Sequence, residues 1–175
     1  VNLDSTTQAL GALNTWPNTG SLGGGFNSAG TVSPNVVSVD GVNGVALVTG
    51  APVAGTDGSH YVGPTAPASV VGANARTIEA WIFNTNSLGE QIVFSYGRRG
   101  ADGLNNAFGH GTDPAFGAVG MWGAPDIGWG NSAAQVATNR VVNRWTYIVQ
   151  TFDGTNNSVY VDGRLANTEG RPPTL

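Results

Sequence analysis

With 175 residues the chain is long enough for one domain with a sizeable core, and 5 Trp, 6 Phe and 4 Tyr exclude a disordered tail. Only 10% of the residues are charged and 27 are Gly, a composition that suits a β protein with many turns. The net charge of -4, with every one of the 7 basic residues an Arg, argues against nucleic acid or anionic membrane as main partner. No run of about 20 apolar residues offers membrane insertion, and the absence of Cys excludes disulfides and thiolate metal sites.

In chain order, VNLDS reads as a short first strand and TTQALGAL as one or two helical turns, with Gly11 against anything longer. NTWPNTGSLGGGFNSAG reads as loop, because Pro17, Asn18 and three successive Gly punctuate it. PNVVSVDGVNGVALVTG alternates as two strands, Val36 to Val39 and Val45 to Thr49, joined through Asp40-Gly41 and Asn43-Gly44. SHYVGP gives a short strand stopped by Pro64, and PASVVG a single helical turn behind Pro67.

From Arg76 to Trp129 strand-like runs follow one another with no helical interval. In TIEAWIFN, Ile78, Ala80 and Ile82 face one way and Glu79, Trp81 and Phe83 the other. Both faces are mostly apolar, so the strand is expected to be central, with Glu79 either paired or at the point where the sheet meets solvent. EQIVFSYG repeats the alternation, and NNAFGHG and FGAVGMWG are strands diluted by Gly. RWTYIVQTFDG sets Trp145, Tyr147 and Val149 against Ile148 and Phe152, and NSVYVDGRLANTE is a hairpin turning at Asp162-Gly163. The expected core holds Trp81, Ile82, Val93, Trp145, Ile148, Tyr160 and Val161.

The pattern is that of an all-β chain, residues 1–175 forming a single two-sheet antiparallel sandwich domain. RTIEAWIFN, the strand ending in Ser-Tyr-Gly-Arg-Arg-Gly, and RWTYIVQTFDGTNNSVYVDGRL together resemble the laminin-G-like, concanavalin A-like jelly-roll domains of secreted bacterial proteins. The most specific element is Trp145-Thr-Tyr-Ile-Val followed by Asn157-Ser-Val-Tyr-Val-Asp-Gly. The likeness runs over residues 36–169, after a lead-in segment 1–35. It implies an extracellular or cell-surface domain, with Ca²⁺ at a loop edge as one option. It also implies two further strands beyond the Tyr-Val-Asp-Gly hairpin, of which the last closes the sandwich. Pro172-Pro173 cannot continue a central strand. The closing strands are therefore expected from a continuation of a longer, processed polypeptide, beginning here at Val1, or from another chain or chain segment that completes the sheet.

Chemistry-bearing side chains concentrate in the central block. Arg98 and Arg99 alternate across a strand end, and with Asp102, Asn105 and His110 they are candidates for a polar cleft that grips sugar hydroxyls or a carboxylate. Trp122 and Trp129 bracket the turn at Pro125-Asp126, where an indole stacks on a pyranose and Asp126 takes hydroxyls. Asp102-Gly-Leu-Asn105-Asn106 and Asp153-Gly-Thr-Asn156-Asn157 carry oxygen donors at loop spacing, suited either to Ca²⁺ or simply to turns. A retaining glycosidase needs two carboxylates about 5 Å apart. Only three Glu occur, at 79, 90 and 169, without a Glu-x-Asp-x-x-Glu pattern, so catalysis is not expected. His60 and His110 sit in no nucleophile-elbow or zinc-ligand context. The expectation is a non-catalytic extracellular module binding glycan or an extracellular protein. The alternative is a structural subunit of a surface layer, filament or multidomain protein whose sheet edges pair with neighbours.

Overall fold

The computed structural model describes residues 1–48, 58–85, 90–97, 105–113, 117–122, 127–129 and 143–170, with the backbone alone at 90–91, at 169–170 and in the segments between 105 and 129. The chain divides into two compact units, Val1–Thr65 and Ala66–Leu175.

The first unit is built of short strands: β1 (Gly11–Ala12), β2 (Thr15–Pro17), β3 (Gly25–Gly30), β4 (Asn35–Val39), β5 (Val42–Ala46) and β6 (Ser59–Val62). They form two three-stranded antiparallel sheets, ordered β1-β4-β5 and β2-β3-β6. The segment expected to be loop thus contains both β2 and β3, and the stretch expected to be helical contains β1. Gly and Pro mark the bends between these strands, while Trp16 and Phe26 supply apolar anchors that local turn chemistry does not register. Phe26 and Val36 are buried, and the rings of Trp16 and Tyr61 pack 5.6 Å apart. The Tyr61 hydroxyl donates to the Leu13 carbonyl at 2.7 Å, and burial pushes its pKa to about 12. Val1 to Asp4 is not a strand; Asn2 accepts from the Thr19 amide at 3.0 Å and donates its own to Asn18 Oδ1 at 2.8 Å. The β4–β5 hairpin turns at Asp40-Gly41, with φ of 52° and 80°, the two left-handed positions of a type I′ turn.

The second unit opens with a single 3₁₀ turn at Ala68–Val70, preceded by Pro67 in an extended conformation. It continues as β7 (Arg76–Phe83), β8 (Glu90–Gly97), β9 (Asn105–Asp113), β10 (Gly117–Trp122), β11 (Ile127–Trp129), β12 (Trp145–Phe152), β13 (Asn156–Val161) and β14 (Arg164–Gly170). Two four-stranded antiparallel sheets result, ordered β14-β13-β12-β7 and β11-β10-β9-β8. Val93 of β8, at the point where its ladder to β9 shifts register, packs against Ile82, Ile148, Val159 and Val161 of the other sheet. A bulge of this kind re-aims one side chain, and here it joins the two sheets into a sandwich.

Alternation along β12 is strict. Thr146, Ile148, Gln150 and Phe152 are buried, while Trp145, Tyr147, Val149 and Thr151 are half-exposed. β13 repeats it, burying Asn157, Val159 and Val161. The buried Gln150 amide donates to Asn157 Oδ1 at 2.9 Å, so part of the inner face is polar. At one end of this face the Arg76 guanidinium lies 4.4 Å from the Phe152 ring centre and donates to the Gly72 carbonyl at 3.1 Å. Burial lowers the Arg76 pKa, with Tyr96 opposing the shift.

The expected burial of Ile82, Ile148 and Val161 is found, and Val93, Trp145 and Tyr160 are half-buried. Trp81 is a correction: it is 65% exposed. Its parity along β7 is that of Glu79, and the cost of desolvating an unpaired carboxylate assigns that whole face to the outside. Replacing Ile148 by Ala removes a fully buried side chain and is expected to cost about 2–5 kcal/mol in urea unfolding, whereas Val149→Ala, one residue along on the outer face, costs at most about 1 kcal/mol. Equal losses at the two positions would contradict this assignment of faces.

Candidate functional site

The outer face of the β7–β12 ladder carries an aromatic patch. Antiparallel register sets Trp81 opposite Tyr147 and Phe83 opposite Trp145. The Trp81 and Tyr147 rings have centroids 5.1 Å apart and planes tilted by 31°, an offset stack in which Trp81 remains 65% exposed and forms the open surface of the platform. Phe83 meets Trp145 edge-on at 5.6 Å and supports the platform at one end. Two residues back along β7 from Trp81, on the same face, Glu79 accepts a hydrogen bond from the Tyr147 hydroxyl through Oε2. That bond, with slight burial and the charge of the carboxylate, raises the Tyr147 pKa above the usual 10.0.

Tyr147 is held by its backbone. Asp162, the first residue of the β13–β14 turn at φ 50°, accepts the Tyr147 amide on Oδ1 at 3.0 Å, and its own amide donates to the Tyr147 carbonyl at 2.8 Å. The second carboxylate oxygen pairs with Arg144 Nη1 at 2.8 Å. Burial alone would raise the Asp162 pKa, but the bonds from Arg144 and the Tyr147 amide outweigh it and the carboxyl is lowered. Beside this turn lies a shallow concavity of about 510 Å³ lined by Val161, Asp162, Arg164, Leu165 and Ala166. It lacks an exposed aromatic surface, which makes it a poorer candidate than the platform.

The strand order, the alternation and the sheet pairing are now joined by one comparison. Residues 55–175 match the laminin-G family model described as the concanavalin A-like lectin/glucanases superfamily. The chain belongs to that superfamily. Neither a curated protein nor a solved structure matches it. The all-β, antiparallel, two-sheet jelly-roll sandwich expected from the sequence is therefore the fold of this concanavalin A-like domain.

Within the laminin-G-like sandwich the site residues expected from the sequence fall as follows. Arg98, Arg99, Asp102 and Asp126 lie outside the described residues. Gln91, His110, Val119 and Trp129 occupy one row across the four strands of the β11-β10-β9-β8 sheet. Asn105 pairs with Gly97, and Trp122 pairs with Ala107 two residues along β9, so these two fall toward one end of the same strands. The backbone thus sets His110 and Trp129 in register and places Asn105 and Trp122 apart from them.

Of the two loops suited to Ca²⁺, Asp102-Gly-Leu lies outside the described residues, with Asn105 and Asn106 following in β9. The other is held by Asp153. Its Oδ1 accepts the amides of Thr155 at 2.8 Å and Asn156 at 2.7 Å, and its Oδ2 accepts the Asn156 side chain at 3.3 Å. These bonds lower the Asp153 pKa and make the loop an Asx turn. Among the described residues no three His, Cys, Asp or Glu converge as a metal site would require.

Sequence reasoning missed the platform because it assigned Trp81 and Trp145 to the core. The available signal was the shared parity of Glu79, Trp81 and Phe83, with Trp145 and Tyr147 on the matching parity of β12.

Glu79→Ala, which removes the acceptor, is expected to return the Tyr147 hydroxyl toward the ordinary phenol range, read by NMR titration of ring-labelled tyrosine; an unchanged Tyr147 titration would mean that the bond to Glu79 does not form. Because the Asp162 pKa is lowered on folding, its contribution to stability is present above the ordinary carboxylate range and is lost as pH falls through the folded value. Thermal melts from about pH 5 down to about pH 2 should therefore fall less steeply for Asp162→Asn than for the parent.

Proposed function

We propose that this concanavalin A-like domain is a non-catalytic recognition module that binds glycan across the outer face of β7 and β12. The observation that carries the reading is the exposure of Trp81, at 65%, beside Tyr147. An exposed indole in contact with water gains when the apolar C–H face of a pyranose covers it. The Glu79 carboxylate, at the rim of the two rings, accepts the hydroxyls that project from the edge of such a sugar. The absence of a Glu-x-Asp-x-x-Glu pattern from the sequence favours binding over hydrolysis. The likeness to domains of secreted bacterial proteins supports a place outside the cell or at its surface, within a larger protein.

The second reading, a structural subunit joined to neighbours through sheet edges, is supported by the position of β7. Among the described residues β7 ends its sheet and pairs on one side with β12. An added strand from another chain would extend that ladder. Sedimentation over a range of concentrations separates the readings, since edge pairing predicts assembly without any sugar.

A glycan array probed with and without Ca²⁺ identifies the ligand class and the role of the ion together. For a glycan found there, Trp81→Ala is expected to weaken binding by about 2 kcal/mol, roughly 30-fold, with an unchanged melting curve. Full retention of affinity in Trp81→Ala would move the site off this face.

A further inference from the structure

We infer that the platform selects sugars bearing a free, protonated amine, that is, an unacetylated hexosamine within a glycan; this rests on the glycan reading above and sharpens it. Glu79 is acceptor-only and has two oxygens. Oε2 takes the Tyr147 hydroxyl, and among the described residues Oε1 accepts no hydrogen bond and no Arg pairs with the carboxylate. An exposed carboxylate with one free oxygen, fixed by a phenol at the edge of an aromatic surface, is complementary to a donor that carries positive charge. A charge-assisted bond to an ammonium is stronger than one to a neutral hydroxyl. The aromatic faces beside it favour the same charge, because their quadrupoles attract cations. The net charge of -4 acts in the same direction at longer range.

The shape of the patch argues for a sugar as the carrier of that amine. Trp81 stacks with an offset on Tyr147 at a tilt of 31° and, 65% exposed, presents one flat indole surface to solvent. A lone alkylammonium, as on a lysine side chain, is bound best when aromatic walls surround it. A pyranose disc covers one surface and reaches Glu79 from its rim. Solvent screening limits the gain from an exposed charge pair, so the selectivity is about tenfold rather than absolute.

The test is calorimetry with oligomers of glucosamine, N-acetylglucosamine and glucose of equal length at about pH 6, where the amine is protonated. The glucosamine oligomer should bind about tenfold more tightly than the other two. Glu79→Gln, which keeps an uncharged acceptor but loses the negative charge, should abolish the difference, so that the glucosamine oligomer binds no more tightly than the neutral oligomers do to the same variant. Trp81→Ala should weaken all three. Equal affinity for the three oligomers, still lost in Trp81→Ala, overturns the amine preference and leaves the glycan reading standing. Binding of none of them, or binding indifferent to Trp81→Ala, overturns both. A lysine-rich peptide that binds through Glu79 more tightly than the glucosamine oligomer overturns the sugar as carrier.

Discussion

The antiparallel register between β7 and β12 settles two surfaces at once. With Ile148 opposite Ala80 and Thr146 opposite Ile82, the inner faces of both strands meet the bulged Val93 of the facing sheet. The same register sets Tyr147 opposite Trp81 and Val149 opposite Glu79 on the other side. Because side chains alternate with a period of two, a slip of β12 by one residue would carry Trp145 and Tyr147 inward and Ile148 and Phe152 out. The core and the platform are therefore one structural decision.

That decision is reinforced at the ends of the ladder. Asp162 closes one end by bonding the Tyr147 backbone twice and Arg144 once. The Asn143 amide donates to the Asn84 carbonyl at 2.7 Å just beyond the Phe83–Trp145 pair. At the opposite end Asp153 fixes the β12–β13 turn, and the Arg76 guanidinium spreads over Phe152. A platform on regular strands, pinned at both ends, presents its rings in a fixed geometry, and a ligand then has little ordering cost to overcome.

The polar residues of the inner face belong to the same scheme. The Gln150 amide donates to Asn157 Oδ1 across β12 and β13, and Ile148 and Val159 lie on the same inner face. A hydrogen-bonded pair within an apolar face costs little in stability, and it disfavours alternative registers that would leave an amide unpaired.

Most of the strands could be read from the chain. The alternation in TIEAWIFN, in EQIVFSYG and in WTYIVQTF, with the Asp-Gly turns at 40–41 and 162–163, follows from side-chain period and left-handed turn chemistry, which are local properties. The family likeness rested on the same segments. Local signals failed at β1, β2 and β3, where Gly and Pro disguised short strands, two of which also pair with strands more than 20 residues away. They failed again at Trp81. On a strand apolar on both faces, hydrophobicity cannot tell which side is the core. Only the second sheet, arriving with Val93 against Ile82 and Ile148, decides that. Alternation and turn chemistry were enough for the longer strands, for the Asp-Gly turns and for the parity that groups Glu79 with Trp81. The cost of burying Glu79 disfavours this face as the inside, but the packing of Val93 onto the opposite faces of β7 and β12 is what covers one side and leaves this one to water, because the inside of a sandwich exists only once a second sheet covers it.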